Sequence, residues 1–280
     1  MKLKKQNEAM DDLLHQLIED SNEYRNLEVT NNAEEKKNVI RSLMNIRMPR
    51  TLPEKLIKVQ DMYLQEELAL KGIVSLSEIP TVREQYKSNH PFADKLSIWQ
   101  GDITRPKVGA IVNAANSQML GCFVPRHRCI DNAIHSGAGM QLRAECDHMM
   151  SQRRIKYGRQ YEEPTGTATL TKGYNLPCDY IIHTVGPIVH GKLTDSLRQD
   201  LQSCYENVLK CCMENGIESV AFCCISTGEF HFPNDEAAKI AVETVTKFLD
   251  SNTDFHMDRI IFNVFKDNDR VIYEKIIGPN

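Results

Sequence analysis

A chain of 280 residues is long enough for one large domain, or for one domain with an appendage. Its hydrophobic fraction of 41% and charged fraction of 26% are those of a folded, soluble protein. A net charge of -4 excludes a broad nucleic-acid footprint, and no apolar run reaches the length needed to span a bilayer.

The first residues, Met1-Lys-Leu-Lys-Lys-Gln, are basic, but no apolar core or small-residue cleavage site follows, so no signal peptide is expected. The nine cysteines are an odd number, and Cys211, Cys212, Cys223 and Cys224 sit in apolar runs, which points to reduced thiols in a cytoplasmic setting. From about Asn7 to Lys71 the chain reads as helical. Met10, Leu13, Leu14, Leu17 and Ile18 form one apolar stripe. Asn32 is placed to cap a second helix whose buried face is Val39, Ile40, Leu43 and Met44. Pro53 reads as the first residue of a third helix, with Leu56, Val59, Tyr63 and Leu70 at helical spacing and Gly72 as its stop. Packing explains these stripes, and 1–94 is therefore read as a helical extension, with 72–94 a connector to a domain spanning 95–280.

From Leu96 the pattern alternates. Strands are expected at 96–100, 111–114, 167–171, 180–185, 219–225 and 259–265. Helices are expected at 132–152 (interrupted at Gly137 and Gly139), 196–215, 236–250 and 267–277. Such alternation implies a three-layer α/β/α sandwich with a mixed, largely parallel central sheet. Ligands bind such sheets at the carboxyl ends of their strands. Two segments, Asn113-Ala-Ala-Asn116 and Ser226-Thr-Gly-Glu-Phe-His-Phe-Pro233, follow apolar strands and should share that edge.

Cys122, His127 and Cys129 supply two thiolates and an imidazole on one loop. That donor set suits zinc, with a fourth position left open as in catalytic sites. A chance free-thiol loop, or a structural zinc completed by His135 or Asp131, are the competing readings. The turn at Ser226, Thr227 and Gly228 leaves backbone N–H groups for a phosphate, although such turns are often only structural. Asp102 can accept a hydrogen bond from a ligand amine or can simply brace its own turn. His183 and His190 flank Thr184-Val-Gly-Pro187, where a strand histidine is commonly a satisfied core residue.

The motifs Gly101-Asp-Ile-Thr, Ala110-Ile-Val-Asn-Ala-Ala-Asn116, Ile130-Asp-x-Ala-Ile-His135, Pro164-Thr-Gly-Thr-Ala168, Ile181-Ile-His-Thr-Val-Gly-Pro187 and Ile225-Ser-Thr-Gly228 together resemble the macrodomain family over roughly 96–277. Where hydrolytic macrodomains commonly carry a run of glycines, this chain has Gly121-Cys-Phe-Val-Pro-Arg-His-Arg-Cys129. That loop resembles the zinc-dependent macrodomain subgroup. The resemblance implies ADP-ribose as ligand and removal of ADP-ribose from a mono-ADP-ribosylated protein, at acidic side chains. It implies Zn2+ held by Cys122, His127 and Cys129, acting on the linkage or on a water. Asp102 would take the adenine amine with Ile103 beside the ring, and Asn113 the distal ribose. Ser226, Thr227, Gly228, Glu229 and Phe230 would wrap the diphosphate and distal ribose. Asn113 and Asp131 are the catalytic candidates, Asp131 as general base or as a residue orienting a zinc ligand. The subgroup is associated with a lipoyl-carrier protein and a sirtuin-like ADP-ribosyltransferase. A monomer is expected, without nucleic-acid or membrane partners. A reader that binds ADP-ribosylated protein without cleaving it, and an O-acyl-ADP-ribose esterase, are the alternatives.

Overall fold

The computed structural model describes residues 2–279; Met1 and Asn280, and the side chains of residues 2–6, lie outside the described residues, and with them the Met1–Gln6 pattern read for a leader. Three helices come first: α1 (Lys2–Asp20), α2 (Ala33–Ile46) and α3 (Glu54–Lys71). Their apolar faces meet in a core of their own, with Leu13, Ile40 and Leu56 almost wholly buried and Met140 reaching in from the main body. Burial of each such side chain contributes about 1.5–3 kcal/mol. The Asn32 side chain accepts from the Glu35 amide at 3.0 Å and caps α2. Pro53 stands just outside α3 as its N-cap, and Gly72, with φ +79°, ends it. Leu70 departs from expectation: it is 62% exposed. The buried line on α3 runs Leu56, Gln60, Leu64, Leu68, a four-residue ridge that winds around the helix and leaves Leu70 behind.

The connector is more ordered than its composition suggests. It contains β1 (Val74–Ser75), a single 3₁₀ turn at Leu76–Glu78 and α4 (Val82–Tyr86). Ile79, Val82 and Ala93 are buried in the main core.

Beyond it lie β2 (Leu96–Gln100), β3 (Pro106–Lys107), β4 (Ala110–Ala115), α5 (Ile130–Ala138), α6 (Met140–Tyr157), β5 (Ala168–Lys172), β6 (Tyr180–Val185), α7 (Asp195–Glu214), β7 (Ser219–Phe222), α8 (Asn234–Ser251), β8 (Arg259–Val264) and α9 (Asp267–Ile277). β1 and β3 pair as a small parallel ladder. The main sheet has the order β2-β8-β7-β4-β6-β5, parallel except for β5, which runs antiparallel to β6 at one edge. Its inner strands are nearly continuous apolar runs because both faces are covered. Phe222 and Phe262, paired in register, meet Tyr205 of α7 and Tyr273 of α9 on one face. Residues of opposite parity on β4, including Asn113, face α5. This is a macrodomain-like three-layer sandwich, mixed and mostly parallel, with helices added at the N-terminus.

Most expected ends shift by one or two residues, and α6 runs on to Tyr157; two differences have a clear physical reason. β7 stops at Phe222, although Cys223 and Ile225 remain buried by packing alone. Gly137 does not interrupt a helix; it lies inside α5, where an added Cβ would come within 2.9 Å of Leu176. The break falls at Gly139 alone, whose φ is +99°.

Candidate functional site

β4 lies inside the sheet and its carboxyl end opens the site. Parallel register sets Asn113 opposite His183 of β6, so their side chains project to the same face. Asn113 is fully buried. Its Nδ2 donates to Asp131 Oδ1 at 2.8 Å and lies 3.0 Å from His183 Nδ1. Taking His183 Nδ1 as the acceptor puts the ring proton on Nε2, where it meets Thr171 Oγ1 at 2.9 Å. Among the described residues, the Asn113 Oδ1 has no partner. Asn116 donates to the Gly121 carbonyl at 3.2 Å and approaches Asp131 Oδ2 at 3.4 Å. Burial pushes the Asp131 carboxyl up to about 6, against the pull of Asn113 and Arg143. His183 goes the other way, down to about 3, because burial disfavours its cation.

Cys122, His127 and Cys129 do converge. One donor atom from each lies within 4.8 Å of the others, and Cys122 Sγ is 3.6 Å from His127 Nδ1. Cys129 is also the N-cap of α5, its sulfur accepting from the Asn132 amide at 3.4 Å. Burial pushes the Cys129 thiol up to about 12, and the neighbouring Cys122 and Asp131 add to this against the Asn132 N–H. A cation among these donors would reverse that shift, since a coordinating thiol is deprotonated outright. The donor set of two sulfurs and one imidazole nitrogen therefore fits zinc.

The loop after β7 faces this one. His127 Nε2 lies 3.6 Å from Glu229 Oε1, so Nδ1 is turned to the thiols while the far nitrogen meets a carboxylate. Metal-ligating histidines are commonly oriented in this way. Ser226 has φ +64° and is buried, and its carbonyl accepts from the Phe232 amide at 3.0 Å. Among the described residues, no intramolecular partner takes the amides of Gly228, Glu229 and Phe230. They are available to an anion ahead of α8. Gly186, just after β6, makes room for the turn: a Cβ there would stand 2.0 Å from Ser226 Oγ.

Across the strand ends, Asp102 Oδ1 accepts from the Thr104 amide at 3.0 Å and hydroxyl at 2.7 Å, bracing its own turn. Oδ2 is 3.4 Å from Lys71. Burial alone would raise the Asp102 carboxyl, but Thr104 and Lys71 hold it below the usual range. Ile103 is buried behind it. Phe265 was not singled out by sequence reasoning. It leaves β8 beside Gly101, whose amide bonds Val264 O at 3.0 Å, and its ring is 75% exposed. The available signal was an aromatic residue ending an apolar strand.

Among the described residues, two other clusters hold potential metal donors. In the buried group of His135, Cys146 and His183, both His183 nitrogens are already engaged. The group of Glu218, His256 and Asp258 is exposed and lies by the starts of β7 and β8, away from the site. His190 is exposed. All nine cysteines are free thiols, and no helix among the described residues is long and apolar enough to cross a membrane.

With this geometry in hand, residues 112–241 match the family model described as Macro domain. A protein-ADP-ribose hydrolase of Treponema medium is 42% identical over 266 residues, covering 95% of this chain and 97% of its own length. One from Staphylococcus aureus is 40% identical and covers 94% of both. Among solved structures, a Trypanosoma brucei macrodomain in complex with ADP-ribose superposes with a TM-score of 0.63 at 27% identity, over 85% of this chain and 95% of its own. An Oceanobacillus iheyensis macrodomain with ADP gives 0.58 at 36% identity, over 66% of this chain and 92% of its own. The sheet order, the two facing loops and relatives matched over nearly their full length agree: this chain belongs to the macrodomain family.

Proposed function

We propose that this protein is a zinc-dependent protein mono-ADP-ribosyl hydrolase, releasing ADP-ribose from acidic side chains of a modified protein. The observation that carries this reading is the convergence of Cys122, His127 and Cys129 opposite Glu229, at the strand edge that also holds Asn113 and Asp131. The names of the relatives from Treponema and Staphylococcus, and the ADP-ribose in the trypanosomal structure, support the substrate class.

In this reading Asp102 accepts from the adenine amine, with Ile103 packed behind it and the Phe265 ring beside it to stack on the base. The free amides at Gly228, Glu229 and Phe230 take the diphosphate without need of a basic surface. Asn113 fixes the distal ribose and holds Asp131, an orientation effect. Cys122, His127 and Cys129 would hold zinc, which when bound supplies a Lewis acid at the ribose carbon bearing the protein. Asp131, held at Oδ1 by Asn113, accepts a proton from the water that adds at that carbon as its bond to the side-chain carboxylate breaks, and a carboxyl near 6 is ionised for that role at neutral pH. For the protein partners, resemblance alone supports a lipoyl carrier as target and a sirtuin-like transferase as the modifying enzyme. A Fusarium oxysporum f. sp. cubense relative, 40% identical, is named "Probable bifunctional ADP-ribose hydrolase/ADP-ribosyltransferase"; this chain covers 41% of it. That name is in keeping with such a pairing. A cytoplasmic setting accords with the free thiols.

The direct test is release of ADP-ribose from a protein mono-ADP-ribosylated on Glu or Asp. Tight binding without release would instead favour a reader. Asn113→Ala is expected to lower kcat about 10²-fold, because substrate orientation and the Asp131 partner are lost together. Calorimetry on Gly186→Ala tests the diphosphate loop separately. The added methyl displaces Ser226, so ADP-ribose affinity should fall about tenfold or more while circular dichroism is unchanged. Unaltered affinity would remove that loop from the binding site.

A further inference from the structure

The end of α2 and the cysteine loop meet on one buried cation. Arg143 of α6 is only 5% exposed. Its Nη1 donates to the carbonyls of Met44, Asn45 and Arg47 at 3.1, 2.8 and 2.8 Å, the unpaired acceptors at the end of α2. Its Nε donates to Leu120 O at 2.7 Å, and Nη2 lies 3.4 Å from Cys122 O. The guanidinium also sits 4.2 Å above the Phe123 ring. Five carbonyls from two distant segments thus satisfy one charge, at the negative end of a helix dipole.

The same helix reaches the middle of the loop. The His127 amide bonds Val124 O at 3.2 Å, and Arg126 has φ +57°. With Pro125 before it, this is the pattern of a type II turn, in which glycine normally occupies the Arg126 position. A non-glycine residue there persists only if its surroundings hold it. What holds it is Asn45, 1% exposed, whose Oδ1 accepts from the Arg126 amide at 2.9 Å. The other end of the Asn45 amide donates to Ser136 of α5 at 3.0 Å. Arg41, one turn earlier, donates to Asn132 Oδ1 at 2.8 Å and approaches His127 O at 3.5 Å. Asn132 in turn donates its amide N–H to Cys129 Sγ and its side chain to Val124 O.

We infer, on the zinc reading above, that the N-terminal helices form part of the metal site, with Asn45 the positioning residue that folds His127 back toward Cys122 and Cys129. The helical extension is then not an appendage but the rear wall of the loop. The Treponema relative matches 266 of the 280 residues, too many to leave the extension out.

The experiment measures zinc affinity of the full-length protein by competition with a chromogenic chelator, for the native chain, Asn45→Ala and Ser136→Ala. Asn45→Ala removes both hydrogen bonds of the buried amide and Ser136→Ala only the one between them, so both lower the melting temperature. Only Asn45→Ala frees the Arg126 turn. It should weaken zinc binding about 10–100-fold, the range found for residues that orient metal ligands, with Ser136→Ala within about threefold of native. Native affinity in Asn45→Ala, or equal losses in both variants, overturns the positioning role and leaves the zinc reading standing. A native chain that takes up no zinc overturns both.

Discussion

Cys129→Ser is expected to lower hydrolysis by at least about 10³-fold while the protein stays folded and still binds ADP-ribose. Serine is the informative replacement. Cys129 caps α5 through the Asn132 amide, and loss of a cap by alanine would itself destabilise by about 1 kcal/mol. A serine hydroxyl keeps the cap but is a poor zinc ligand beside one thiol and one imidazole. Removing even one donor that stabilises developing charge typically lowers kcat 10²–10³-fold, and losing the ion removes the Lewis acid altogether. The groups assigned to adenine and diphosphate, Asp102 and the Gly228–Phe230 amides, lie on other loops. ADP-ribose affinity should therefore stay within about threefold. Metal content, turnover and calorimetric affinity on the same preparation separate these effects. Full turnover by a metal-free Cys129→Ser protein would sink the zinc mechanism.

The sequence made the sheet legible because the inner strands are apolar throughout. β2 and β6 fall on the expected residues, and α9 does too. The β7 boundary was missed because Cys223 and Ile225 are apolar for packing, not for a ladder, and period alone cannot separate those causes. The loop carrying Cys122, His127 and Cys129 could be read from its chemistry, and the three side chains do come together. What holds them could not be read. Arg143 meets backbone carbonyls about a hundred positions earlier in the chain, and carbonyls carry no residue identity for a pattern to detect. Gln60 shows the same limit on α3. A polar residue interrupts the stripe, yet it is wholly buried because its Oε1 accepts from the Met140 amide at 2.7 Å.

Stability should fall between pH 7 and pH 5. His183 and His135 are buried beside each other, with ring centroids 5.9 Å apart. Burial depresses His183 from the usual 6.5 to about 3. It also drives His135 well below 6.5, with His183 and Arg143 adding to this although Asp131 Oδ1 lies 3.5 Å away. A depressed folded pKa contributes stability that is present above the unfolded value and is lost as pH falls through the folded one. The loss thus begins near pH 6.5, and for His183 it reaches about 2 kcal/mol at pH 5; His135 adds to it in the same direction. Asp131 acts in the opposite sense. Its folded pKa is raised to about 6 from 3.8, so the folded state takes up a proton first as pH falls. Between about pH 6 and 4 this offsets part of the loss. Urea titrations at pH 7, 6 and 5 measure it. His183→Gln can keep the Asn113 and Thr171 contacts without a titrating ring, and should flatten the slope by close to one proton. A profile that is level from pH 7 to 5, or a glutamine variant with the native slope, would show that this histidine is not the neutral strut that ties Asn113 to Thr171 beneath the site.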